Sequence, residues 1–114
     1  MTVYVDDMRA PYGRMVMCHM IADTDDELHE MAARIGVARK WFQKEGTARR
    51  HYDIALSKRA LAVAAGAVEI TWRQTGAMVV RRRLTGRRGS PTDAERWHLD
   101  HLAAQRSPSY QSHA

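Results

Sequence analysis

Residues 22–36 read ADTDDELHEMAARIG, and this stretch decides the fold. Thr24 and Glu27 have the spacing of a capping box, in which the threonine oxygen accepts from the Glu27 amide and the glutamate reaches back. Asp25 and Asp26 fall in the first turn, where negative charge meets the positive end of the helix dipole. Leu28, Met31, Ala32 and Ile35 recur at helical spacing and form one apolar stripe, and Gly36 supplies the stop. A one-sided helix of this kind needs a second layer to pack on, and the flanking sequence supplies it.

Before the helix, Met15 to Ala22 is an apolar run of strand length, interrupted only by His19, which reads as a satisfied core histidine. Thr2 to Asp6 reads as a strand, with Val3 and Val5 alternating against Tyr4, and Pro11 and Gly13 mark Arg9 to Arg14 as a loop. After the helix, Val37 to Gln43 is a third strand or extended segment anchored by Trp41 and Phe42, and Lys44 to Arg50 is a polar loop. A second helix is expected from about Ser57 to Gly66. Its alanines allow close approach to a sheet. Val68, Ile70 and Trp72 then alternate against Glu69 and Thr71 as in a strand. The expected order is β-β-α-β-α-β, an α/β fold whose small single-layer sheet has about four strands with packed helices.

Thr75 to Thr85 fits a helix closed by Gly86 better than a return strand turning at Thr75-Gly76. Arg81-Arg82-Arg83 and Arg87-Arg88 form a basic linker. Ser90 and Pro91 then restart a helix, with serine at the cap and proline at the first position, running to about Gln105. This divides the chain into an α/β domain over 1–86 and, over 87–114, a linker, a C-terminal helical extension and a flexible tail from Ser107.

The 114 residues suit a modest single core. No apolar run is long enough to span a bilayer, and the start lacks the basic and apolar regions of a signal peptide, so cytoplasmic residence and no membrane association are expected. The single cysteine, Cys18, excludes an internal disulfide and a multi-thiolate zinc site, and reads as a small buried hydrophobe. The net charge of +5 is carried by the part after Asp53, with ten basic residues against four acidic, while residues 1–53 have eight basic against nine acidic. Arginine dominates, alanine is abundant and asparagine is absent, as in a GC-rich coding bias, which weakens any inference from arginine to phosphate.

His51-Tyr52-Asp53 sets an imidazole, a phenol and a carboxylate side by side, and Asp6-Asp7 closes the first strand. Residues just past a strand end are where open α/β sheets place ligands. If the loop carrying His51, Tyr52 and Asp53 opens at the same sheet edge as Asp6 and Asp7, these five form a candidate catalytic centre. Asp6, His51 and Asp53 would then hold Mn²⁺, Mg²⁺ or Zn²⁺. Lys58 and Arg59 at the start of the second helix would bind an anion. The bland alternatives are a cap or turn role for the aspartates, a spacer role for His51 and a packing role for Tyr52. His98 and His101 stand one turn apart beside Asp100, a spacing common by chance. Arg81, Arg82, Arg83, Arg87 and Arg88, near Trp72 and Trp97, would suit phosphate contacts and base stacking, or would simply be a solvated linker. Phosphate-loop, dinucleotide, nucleophile-elbow and HExxH motifs are absent.

MTVYVDDM, ADTDDELHEMAARIG followed by WFQ, and HYDI followed by SKRALAVAAGAVEITW resemble domain-of-unknown-function family 4031. That family comprises small bacterial and phage proteins with a His-Tyr-Asp motif. The resemblance spans roughly Met1 to Arg73. It implies that His51, Tyr52 and Asp53 matter, and it carries no reaction. Two functions are therefore expected. One is a metal-assisted site acting on or binding a phosphate-containing ligand, a nucleotide or nucleic acid. The other is a non-enzymatic, phage-type accessory protein that binds a host protein or nucleic acid through its basic C-terminal region. In the enzyme case a small domain needs a homodimer to enclose a pocket, and the apolar face of the last helix would supply that interface.

Overall fold

A computed structural model describes residues 2–106. Strands β1 (Val3–Val5), β2 (Ala10–Tyr12) and β3 (Met15–Ala22) precede helix α1 (Asp25–Ile35). A 3-10 turn over Arg39–Trp41 leads into β4 (Phe42–Gln43), then β5 (His51–Ala55) runs directly into α2 (Leu56–Ala64). β6 (Val68–Glu69), α3 (Trp72–Thr85) and α4 (Pro91–Gln105) follow. The mixed α/β class holds, but the sheet among the described residues has six strands rather than four. The flexible tail expected over Ser107–Ala114 lies outside the described residues.

The sheet order is β4-β5-β3-β1-β6, with β2 paired to β3 beside that path. All pairings are antiparallel except β1 with β6. β3 is the hub: β2 takes its residues 15–17, β1 its residues 20–22, and β5 its residues 17–20. The extra strands come from two places. The Pro11 segment, expected as a loop, is a short strand turning at Gly13 (φ 60°), where proline sits outside the central ladders. The His51-Tyr52-Asp53 run, also expected as a loop, is itself a strand. Its burial alternates, with Tyr52 and Ile54 inside and His51, Asp53 and Ala55 half-buried.

β-Strand alternation divides the sheet into two chemically different faces. One carries Val3, Val5, Cys18, Met20, Ala22, Tyr52 and Ile54, which join Leu28, Met31, Ala32 and Ile35 of α1 and Ala62 of α2 in the core. The expected apolar stripe of α1 is therefore the buried one. Thr24 caps the helix by accepting from the Glu27 amide, while the glutamate carboxylate takes the Thr24 hydroxyl. Gly36 ends it in the left-handed region at φ 81°, and the Val37 amide returns to the Ala32 carbonyl.

The strand expected over Val68–Trp72 is only two residues long, and its apolar face is buried only in part: Ile70 is buried as expected, while Val68 and Trp72 are exposed. After pairing with β1 the chain turns into α3, so Trp72 opens a helix instead of closing a strand. Residues 75–85 are helical, and Ser90 caps α4 by accepting from the Asp93 amide. Contacts group the chain into two compact units meeting at Trp72–Arg73. Among the described residues no helix is long and apolar enough to cross a membrane.

Cys18 is fully buried in the core, and burial first, then the nearby Asp6 charge, pushes its thiol up to about 11. A raised thiol pKa leaves almost no thiolate at neutral pH. Native protein is therefore expected to resist thiol-specific labelling at mildly alkaline pH and to react stoichiometrically once unfolded in urea. Labelling of the native protein at the rate of a free thiol would contradict this packing.

Candidate metal centre

The other face of the sheet carries the polar groups. In the β3–β5 register His19 lies opposite Asp53, and in β4–β5 Gln43 lies opposite His51. Alternation does the rest. His51 and Asp53, two apart on β5, project from the same face as His19 and Gln43, while Tyr52 between them enters the core. One donor atom from each of His19, His51 and Asp53 lies within 4.8 Å of the others, the one such group among the described residues.

The hydrogen bonds around this trio set which atoms face inward. His19 Nδ1 donates to Asp6 Oδ2 at 2.8 Å, and His51 Nδ1 donates to the Arg49 carbonyl at 2.6 Å. Both partners are acceptors, so in each neutral ring the proton is on Nδ1 and the lone pair on Nε2. His19 Nε2 is 4.0 Å and His51 Nε2 3.3 Å from Asp53 Oδ1. That oxygen is buried and has no hydrogen-bond partner, while Gln43 Nε2 donates to the other, Oδ2, at 2.9 Å. When both rings are neutral, three electron-pair donors thus converge with no proton between them. A buried acceptor without a partner costs about 1–3 kcal/mol, and a cation at this point would remove that cost.

Asp6 explains how His19 is held. The β1–β3 ladder ends where the Asp6 amide donates to the His19 carbonyl, and the chain then leaves the sheet. The next ladder donor, the His19 amide, is taken by Asp6 Oδ1 at 3.0 Å, which also accepts from the Met8 amide. The carboxylate is fully buried, and with Oδ2 on the imidazole it is saturated by protein donors. It stands behind His19 instead of facing the cluster. The hydrogen bond to Asp6 is also the main cause of the raised pKa of His19, outweighing the opposing effect of burial.

The remaining candidate residues are dispersed. Asp7 Oδ1 accepts the Trp72 amide at 2.5 Å. The Tyr52 hydroxyl and His29 Nδ1 are 2.8 Å apart on the core side, beside the Phe42 ring, and burial raises the phenol pKa. Lys58 Nζ sits 3.2 Å from where a Cβ on Gly36 would lie, at the end of α1. Arg59 donates to the Asp6 carbonyl and to Glu69. Arg81, Arg82 and Arg83 are consecutive on α3 and so fan around the helix rather than sharing a face. Arg87 is exposed and Arg88 is buried. On α4 the His101 ring stacks on Trp97 at 4.9 Å.

Sequence reasoning missed His19 and Gln43 as members of the site. Both lie on other strands, and only the register brings them to Asp53. The available signal was that His19 alone breaks the apolar run of β3.

The matching region, residues 3–83, covers this entire cluster and fits the family described as Protein of unknown function (DUF4031). The chain belongs to the DUF4031 family. The match extends into α3. No curated protein and no solved structure matches the chain. For this DUF4031 protein the site must therefore be read from its geometry.

Replacing Asp6 with alanine orphans the His19 and Met8 amides and frees the His19 ring. Urea unfolding of Asp6→Ala is expected to show a loss of about 2–4 kcal/mol; a loss below about 0.5 kcal/mol would contradict the buried network. The raised pKa of His19 also has a sign. Its contribution to stability is complete below the ordinary value of 6.5 and fades as pH rises through the higher folded value. Metal-stripped wild type should lose stability over that window and His19→Gln should not, read as urea midpoints against pH.

Proposed function

We propose that this chain binds a divalent metal ion through His19, His51 and Asp53 and uses it to act on or bind a phosphate-containing ligand, a nucleotide or nucleic acid. The observation that carries the reading is the convergence of two imidazole lone pairs on a buried carboxylate oxygen that has no other partner. Such an ion would be oriented from behind in the manner of catalytic metal sites, where each ligating histidine gives its second nitrogen to an acceptor. Here Asp6 and the Arg49 carbonyl are those acceptors.

One carboxylate and two neutral imidazoles leave a divalent ion with a net positive charge. It would draw an anionic oxygen and lower the pKa of a bound water. The chain's net charge of +5, carried by the residues after Asp53, separately favours association with polyanionic ligands. Lys58 and Arg59 have other roles in this reading: the Lys58 side chain reaches from α2 to the end of α1, and Arg59 braces Asp6 and Glu69. Tyr52 packs the core and anchors the strand.

Metal-stripped wild type is expected to show saturable thermal stabilisation by divalent ions, about 2.7 kcal/mol at a hundredfold excess over Kd. His51→Ala and Asp53→Ala should lose it. The metal-loaded wild type, and neither variant, should then release phosphate from nucleotides or cleave or retain oligonucleotides. Equal stabilisation of all three proteins would remove the metal site, and metal binding with no nucleotide or oligonucleotide effect would remove the phosphate ligand.

A further inference from the structure

We propose that this site selects a first-row transition ion of the Zn²⁺, Co²⁺ or Fe²⁺ kind over Mg²⁺, and that Gln43 confines Asp53 to a single coordinating oxygen. The inference rests on the metal reading above and narrows it to an ion class and a coordination mode.

The donor set decides the ion. Two of the three inward atoms are imidazole nitrogens whose other nitrogen is already committed to an acceptor. Mg²⁺ takes oxygen donors and keeps its waters, whereas imidazole suits zinc, iron, cobalt and nickel. Asp6 would be the natural second carboxylate for a hard cation, but both its oxygens are engaged by the His19 ring and by backbone amides. The site therefore offers one oxygen and two nitrogens, the set of two histidines and one carboxylate that first-row ions accept with positions left open.

The spacing of both histidines from Asp53 agrees with this, and the two histidine donors lie within 4.8 Å of each other. Zinc bonds of roughly 2.0–2.1 Å separate tetrahedral donors by about 3.4 Å. The His51 to Asp53 distance of 3.3 Å already fits. The His19 to Asp53 distance of 4.0 Å needs a closure of about 0.6 Å, within reach of side-chain rotation because 22% of the His19 and 33% of the Asp53 side chain is exposed.

Gln43 decides the coordination mode. Its side-chain amide donates to Asp53 Oδ2, the oxygen turned away from the histidines. The assignment is physical: a glutamine carbonyl turned toward a carboxylate would be repelled, so the NH₂ group takes that place. With Oδ2 held, only Oδ1 is free to bind. All three donors rise from one sheet face, so a tetrahedral ion keeps one open position and an octahedral ion three, all on the side away from the strands. A tetrahedral ion therefore takes a water or a ligand oxygen there, and a five- or six-coordinate ion takes both.

The test is a Co²⁺ titration of tag-free, metal-stripped full-length chain, followed by visible absorbance. Wild type is expected to develop the ligand-field bands of a four- or five-coordinate ion at one equivalent. One equivalent of Zn²⁺ should bleach them, and a roughly hundredfold excess of Mg²⁺ should not. Gln43→Ala, a change at an exposed position, should still bind but with weaker bands, as the freed second oxygen of Asp53 raises the coordination number. His98→Ala/His101→Ala should match wild type, and His51→Ala should lose the bands. Displacement of Co²⁺ by equimolar Mg²⁺ would overturn the ion preference while leaving the metal reading intact. Absence of binding by Co²⁺, Zn²⁺ and Mg²⁺ alike would overturn both. Bands that survive His51→Ala but vanish in His98→Ala/His101→Ala would move the metal elsewhere and overturn the assignment. An unchanged Gln43→Ala spectrum would overturn the role given to Gln43.

Discussion

The antiparallel register of β3 against β5 is the constraint on which the rest depends. It sets His19 opposite Asp53, and with it Cys18 opposite Ile54 and Met20 opposite Tyr52. Because side chains alternate across a strand, one register answers two demands. It delivers Cys18, Met20, Tyr52 and Ile54 to the core beneath α1 and α2, and His19, His51 and Asp53 to the polar face. A slip of one residue would bury the histidines and expose the core. The hydrophobic layer thus enforces the geometry of the polar one.

Tyr52 shows how closely the two faces are joined. It is fully buried, its ring lies near Phe42 and His29, and it sits between the two residues of the motif that face outward. Its packing fixes the rotation of β5 and hence the directions of His51 and Asp53. Asp6 does the same on the neighbouring strand. It leaves the sheet where the β1–β3 ladder ends and uses its carboxylate to replace the missing backbone acceptor and hold the His19 ring. These residues act through position, and the chemistry is left to the atoms they aim.

The helical layer was legible from residues 22–36 because capping, dipole charge and apolar spacing are local properties, and α1 and α4 begin where their caps indicate. The short strands were legible only in part. β4 and β6 fall within the segments read as extended, Val37–Gln43 and Val68–Trp72, but each is only two residues long, and β2 contains a proline that argues against a strand until pairing with β3 supports it. The His51-Tyr52-Asp53 run was recognisable as chemistry but not as a strand, since its alternation is polar–aromatic–polar and its apolar half is a single tyrosine. His19 and Gln43 were hidden for a deeper reason. They meet Asp53 through pairings across 34 and 10 positions of chain, which no local pattern encodes. What the sequence did contain was the anomaly of a histidine within the apolar run of β3.

The central claim is that both histidines are held with their protons on Nδ1 and their Nε2 lone pairs turned toward Asp53. Long-range proton–nitrogen correlation spectra of the imidazoles read this directly in the metal-stripped chain, at a pH where both rings are neutral. The account predicts the Nδ1–H tautomer for His19 and His51, with both Nε2 resonances shifting on addition of Zn²⁺. An Nε2–H tautomer at either ring, unmoved by the metal, would contradict it.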